Sequence, residues 1–297
     1  MTRWLITGAT GQLGTALQVQ LGARDGDDVR AVGRADCDLA DEAAVRGLLR
    51  EADDDTVVLN AAAYTAVDAA ETDEVTAHAV NALAPGWLAE EAAQRGARLI
   101  HVSTDYVFSG DAPLGVDGTP RGYDVDDPTG PISAYGRTKL AGEQAVLAAM
   151  PTAAVVRTAW VYAATGTNFV RTMLRLEGER ETLDVVDDQT GNPTYAPDLA
   201  AGLSALADRM GDDDAPHGVL HAAGSGTATW CELARAVFAA AGADPERVRP
   251  TTSAAFVRPA PRPAWSVLSP LSWTSAGLDP LPPWRSSLDR CLGALRA

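Results

Sequence analysis

A chain of 297 residues with 46% hydrophobic and 22% charged side chains is large enough to bury one big core, or one and a half, and has an ordinary globular composition. Its net charge of −16 repels phosphate backbones and anionic lipid, which excludes nucleic acid and membrane surfaces as partners. Any phosphate-bearing ligand must then be held by local devices such as a helix N-terminus or a single arginine. Cys37, Cys231 and Cys291 are too few and too scattered for a disulfide framework or a zinc site. His78, His101, His217 and His221 show no metal-ligand spacing with carboxylates. The opening residues run straight into a strand-like segment with no secretory signal or apolar span, so the expected compartment is the cytoplasm.

In chain order, Trp4-Leu5-Ile6-Thr7 reads as a buried strand, followed by a glycine turn and a helix through about Leu21. Further short apolar runs at Val29–Val32, Thr56–Leu59, Leu99–Val102 and Ala154–Arg157 alternate with helical stretches near 41–51, 73–95 and 134–149. Strand–helix alternation at this spacing predicts an α/β fold, a Rossmann-type doubly wound parallel sheet covered on both faces. Strands buried on both sides should be continuous apolar runs, and these are. The second half is less regular, with helices expected near 168–178, 197–210 and 230–241. Pro259-Ala260-Pro261-Arg262-Pro263 forbids regular structure. The expected division is a dinucleotide-binding domain over 1–160 and a smaller, interleaved C-terminal lobe over 161–297, with part of 185–210 returning to the first.

Gly8-Ala9-Thr10-Gly11-Gln12-Leu13-Gly14 links the first strand to the first helix. In that context the glycines allow a tight bend and a close backbone approach to a pyrophosphate, and the helix N-terminus supplies amide donors. After the second strand comes Arg34, with no carboxylate before Asp36. An arginine there suits a ribose 2′-phosphate, so NADPH is the expected cofactor, with NADH possible. Asp38 is placed to meet an adenine amino group. Ala61, Ala62 and Ala63 put small side chains at a strand's carboxyl end, where a flat ring can lie against the backbone.

The fourth strand ends at Thr104, on the same sheet edge as the glycine turn. On the next expected helix lies Tyr135, and four residues on is Lys139, the one lysine of the chain. Residues so spaced share a helix face. A phenol with an ordinary pKa of about 10 is a poor acid–base group near neutrality. An adjacent ammonium favours its ionised form. A hydroxyl, a phenol and an ammonium at one sheet edge suit proton donation to a carbonyl oxygen as hydride arrives. Trp160 follows the fifth strand, beside the same crevice, where an indole can pack on a sugar or base.

These motifs resemble those of an extended short-chain dehydrogenase/reductase. Within that superfamily the chain is similar to the dTDP-4-dehydrorhamnose reductase family along nearly its whole length. The matching stretches are Asn60–Glu71, Val102–Phe108, Ser133–Glu143, Arg157–Tyr162, Asn168–Leu174, Asp187–Leu199 and Arg258–Leu268. The resemblance implies reduction of the C4 ketone of a dTDP-4-keto-6-deoxy-L-hexose. Thr104, Tyr135 and Lys139 would be catalytic. Gly8, Thr10, Gly11, Gln12, Leu13, Gly14, Arg34, Asp38, Leu39 and Ala61 to Ala63 would hold the cofactor with Tyr135 and Lys139. Thr104, Asp105, Trp160 and Asn168 would face the dTDP-sugar. Some bacterial relatives share a magnesium ion across a dimer through acidic residues after the glycine turn. Here Gly14-Thr15-Ala16 has none, so no metal is expected, and the chain is read as a monomer or homodimer. A related dehydratase would carry a second carboxylate after Asp105, where Tyr106 stands. The remaining alternatives are a nucleotide-sugar epimerase on the same scaffold and a non-catalytic NADP-binding regulatory subunit.

Overall fold

The computed structural model of the chain describes residues 1–212 and 214–296. Its first half contains β1 (Arg3–Thr7), α1 (Gln12–Gly22), β2 (Asp28–Val32), α2 (Glu42–Gly47) and β3 (Thr56–Asn60). Then come α3 (Val67–Ala70), α4 (Glu74–His78), a π-helical turn (Ala79–Leu83), α5 (Ala84–Arg95), β4 (Arg98–Thr104), α6 (Ala134–Ala149) and β5 (Ala154–Thr158). The second half adds β6 (Val161–Tyr162), α7 (Phe169–Glu179), β7 (Leu183–Val186), β8 (Thr190–Gly191), β9 (Thr194–Tyr195) and α8 (Ala196–Arg209). It closes with β10 (Gly218–His221), β11 (Ala228–Thr229), α9 (Trp230–Ala240), β12 (Val248–Thr251), α10 (Leu271–Ser275) and α11 (Trp284–Arg296).

Six strands form one parallel sheet in the order β10-β5-β4-β3-β1-β2. The winding reverses between β1 and β3, and the crevice outside their carboxyl ends is where such a sheet takes its ligand. Every residue of β3 and β5 is buried, as a central parallel strand requires. On one face Leu13, Leu17 and Leu21 of α1 pack with Leu199, Leu203 and Leu206 of α8. On the other, Val45 of α2 and Leu88 and Ala92 of α5 close over Leu5, Val58 and Leu99. A third cluster, centred on Val170, Val237, Phe238 and Leu288, is the core of the second half.

Two expectations need correcting. The helix expected over 73–95 is broken by the π-turn at Ala79–Leu83. The sheet gains a sixth strand, β10, from the second half. The proline-rich tail does lack regular structure at 259–263, but it recovers into α10 and α11, the latter burying Trp284, Leu288 and Cys291. Among the described residues no helix is long and apolar enough to cross a membrane.

Candidate active site

The crevice at the reversal point is a cleft of about 820 Å³ running from the glycine turn to Trp160 and Trp230. Local sequence dictates the turn's shape. Gly8 has φ +76, and a Cβ there would sit 2.8–2.9 Å from the Ala61–Ala62 backbone. A side chain at Gly14 would strike the Gly8 carbonyl oxygen at 2.1 Å. Gly11 caps α1 with no side-chain hydrogen bond and no acidic residue in the first turn, which leaves the helix amides open to an anion. This donor set fits a dinucleotide pyrophosphate.

The adenosine end fits NADPH better than NADH. Arg34 is exposed on the cleft wall, while Asp36, the first carboxylate after β2, accepts a hydrogen bond from the Gly33 amide at 2.8 Å. Asp38 and Leu39 also line the cleft, although Asp38 spends one oxygen on the Ala40 amide at 3.0 Å. Ala61, Ala62 and Ala63 form the floor.

At the far end, α6 begins with Ser133, whose Oγ accepts from the Gly136 amide, and Glu71 accepts from the Ala134 amide at 2.8 Å. A Cβ at Gly136 would lie 2.2 Å from the Tyr106 carbonyl oxygen, so the helix start is pressed against the turn Asp105–Val107 that follows β4. That contact brings Tyr135 and Lys139 beside Thr104, and all three line the cleft. Burial pushes the Tyr135 phenol up to about 12, against the Thr104 hydroxyl. Lys139 is 1% exposed, and burial lowers its ammonium to about 8. Its Nζ donates to the Val102 carbonyl at 2.7 Å and lies 3.2 Å from His101 Nε2. The ammonium is thus directed at β4 rather than at the phenol. In the cofactor-free cleft, burial therefore holds the Tyr135 phenol neutral.

Asp105 is buried, accepts from the Thr104 hydroxyl at 2.9 Å, and is pushed up to about 6 by burial. Its Oδ2 and the Thr158 hydroxyl are buried without a well-formed hydrogen bond, although the Ser266 hydroxyl lies close enough to favour the Asp105 carboxylate, and both residues line the cleft. Two such groups at one cleft suit a ligand with hydroxyl groups. Trp160 has φ +47 and stacks on Trp230 at 3.5 Å with the rings 3° from parallel. Gly191 makes room, since a Cβ there would meet the Trp160 ring at 2.5 Å.

Two expected site residues lie elsewhere. Gly14 is a packing glycine behind the turn. Asn168 caps α7 by accepting from the Arg171 amide and donates to Gln12 Oε1 at 2.9 Å and to the Ala163 carbonyl, so its carboxamide is used up behind the cleft wall. Thr158, Gly166, Thr167 and Trp230 line the cleft without having been expected. Thr158 ends β5, so the strand-end rule that found Thr104 reaches it too. Trp230 opens a helix 70 positions after Trp160, and no local signal joins them.

This geometry has known counterparts. The family model described as the RmlD substrate binding domain matches residues 2–297. The chain belongs to that family. It is 53% identical to a dTDP-4-dehydrorhamnose reductase of Mycobacterium tuberculosis, over 98% of this chain and 93% of the relative. It is also 53% identical to a probable dTDP-4,6-dihydroxy-2-methyloxan-3-one 4-ketoreductase of Streptomyces antibioticus, over 96% and 93%. Among solved members of the family, a dTDP-4-dehydrorhamnose reductase from Bacillus anthracis in complex with NADP superposes with a TM-score of 0.90. It is 34% identical, over 99% of this chain and all of that one. The chain is thus an NADP-dependent oxidoreductase.

Proposed function

We propose that the protein uses NADPH to reduce the C4 ketone of a dTDP-4-keto-6-deoxyhexose, dTDP-4-dehydrorhamnose or a close relative. The observation that carries this reading is the meeting of Thr104, Tyr135 and Lys139 at one end of a cleft whose other end is an anion-binding glycine turn. NADPH supplies the hydride when bound. Tyr135, held protonated, donates its proton to the C4 oxygen, and the Thr104 hydroxyl hydrogen-bonds the same oxygen. Lys139 orients the nicotinamide ribose, and its charge offsets the phenolate left on Tyr135. Asp105 Oδ2 and Thr158 Oγ1 receive sugar hydroxyls, and the Trp160–Trp230 stack walls the nucleotide side. Residues 1–160 with the returning segment form the cofactor side and the remainder the sugar side. The enzyme acts in the cytoplasm as a monomer or homodimer.

The test is NADPH oxidation with a dTDP-4-keto-6-deoxyhexose, comparing wild type with Tyr135→Phe. The variant should lose about 10²–10⁴ in kcat with NADPH affinity nearly unchanged. No turnover by wild type with several such sugars, despite NADPH binding, sinks the reading. A variant keeping more than about a tenth of the rate removes Tyr135 as the donor.

A further inference from the structure

Thr7, Asn60 and His101 stand opposite one another on β1, β3 and β4. All three are buried, His101 completely. The Asn60 carboxamide bridges the other two, with Oδ1 2.6 Å from Thr7 Oγ1 and Nδ2 2.9 Å from His101 Nδ1. His101 Nε2 then faces Lys139 Nζ at 3.2 Å. A polar row crosses the sheet from the residue before the glycine turn to the lone lysine.

Counting donors decides how this row works. An ammonium has three hydrogens and no lone pair. One hydrogen goes to the Val102 carbonyl, one faces Nε2, and one is left for the cleft. A neutral imidazole has one N–H and one lone pair. A charged lysine therefore requires the lone pair on Nε2 and the hydrogen on Nδ1, which needs the Asn60 oxygen turned toward the ring and its amino group toward the Thr7 hydroxyl. In the opposite sense Asn60 Nδ2 donates to Nδ1 and leaves an Nε2–H pointing at Nζ, which only a neutral amine can accept. The charge on Lys139 and the direction of the row are locked together.

We propose that His101 is the positioning residue of Lys139: its Nε2 accepts from the ammonium in the Nδ1–H tautomer, with the Asn60 carboxamide turned so that its oxygen faces the ring. This rests on the role given to Lys139 above. Burial, then the lysine's charge, holds His101 well below the usual imidazole range, so the ring stays a neutral acceptor. Around Lys139, Tyr135 shares its helix, and Glu143, one turn on, favours the ammonium. Glu143 is itself committed to Arg157 of β5 at 2.7 Å and to the Ser103 hydroxyl at 2.6 Å. His101 is the side-chain acceptor that remains.

The composition provides the test. Protein grown with 13Cε-labelled lysine gives one signal, whose pH dependence reports Lys139 directly, with no cofactor or turnover. Wild type should titrate at about 8. His101→Leu should titrate about one pH unit lower or more, and His101→Gln, whose side-chain oxygen replaces Nε2, should recover most of the shift. In wild type, 15N-histidine spectra should show His101 as the Nδ1–H tautomer while the lysine is charged. A folded leucine variant, judged by its thermal midpoint, that titrates with wild type overturns the proposal. So does an Nε2–H tautomer beside a charged lysine, a result that needs no variant and decides the matter if His101→Leu does not fold. Absence of ketone reduction would refute the enzymatic reading and leave this result standing.

Discussion

Arg34 shows how much one side chain can decide. It is exposed on the cleft wall, and the nearby Asp36, also exposed, spends one carboxylate oxygen on the Gly33 amide. A ribose 2′-phosphate at this turn would find the Arg34 guanidinium as its charge partner. Arg34→Ala should raise KM for NADPH about tenfold or more, the worth of one charge-assisted hydrogen bond, and hardly change KM for NADH. Steady-state kinetics with both cofactors check this, and equal changes would mean that Arg34 does not read the phosphate. At this scale most of the site was legible. Strand-end and helix-face rules found Thr104, Tyr135 and Lys139, because the fold presents such positions at one edge. Asn168, expected at the sugar only from the family resemblance, instead caps a helix, and the rules passed over His101, whose place in the polar row comes from register with Asn60 on another strand.

At the scale of elements, α6 places Tyr135 and Lys139 at the cleft, and its position depends on close backbone contacts. A Cβ at Gly142 would lie 2.0 Å from the Asn81 carbonyl oxygen in the π-turn. The Asn81 side chain in turn accepts from the Tyr64 amide at 2.8 Å and donates to the Thr138 hydroxyl at 3.1 Å. Gly142→Ala should cost about 2 kcal/mol or more of stability and lower kcat, because the helix must back away from the sheet edge. Gly178→Ala at the exposed end of α7, where a Cβ meets nothing within 4 Å, should be neutral or stabilising by up to about 1 kcal/mol. Urea midpoints compare the two, and equal effects would show that α6 has room to spare. The π-turn was invisible in sequence, since one extra residue per turn leaves the apolar pattern nearly intact. Strand β10 was hidden for another reason: four residues offer too little periodicity, and its place is set by β5 beside it.

For the molecule as a whole, acid sensitivity follows from buried titratable groups. Burial keeps His101 and His221 neutral in the folded state, His221 down at about 3. Their unfolded counterparts take up protons as pH falls through about 6.5, so each removes stability below that pH. Asp105, raised to about 6, opposes this by binding its proton earlier in the folded state. Two protons against one leave a net loss on the order of 1 kcal/mol per pH unit between about pH 6 and 5 for the cofactor-free protein. Urea unfolding at pH 7, 6 and 5 measures it. A flat or rising profile would mean that one imidazole is charged when folded.

The return of α8 and β10 to the sheet also limits how such a protein can be built or rearranged. Cutting the chain after residue 160 would strip the cover from Leu17 and Leu21 and leave β5 as a bare edge, although both leucines are fully buried in the whole chain. The half that carries the glycine turn is therefore not a cassette that recombination can pass to a new C-terminal partner. Diversification toward other sugars is confined to substitutions and loop changes within an indivisible unit.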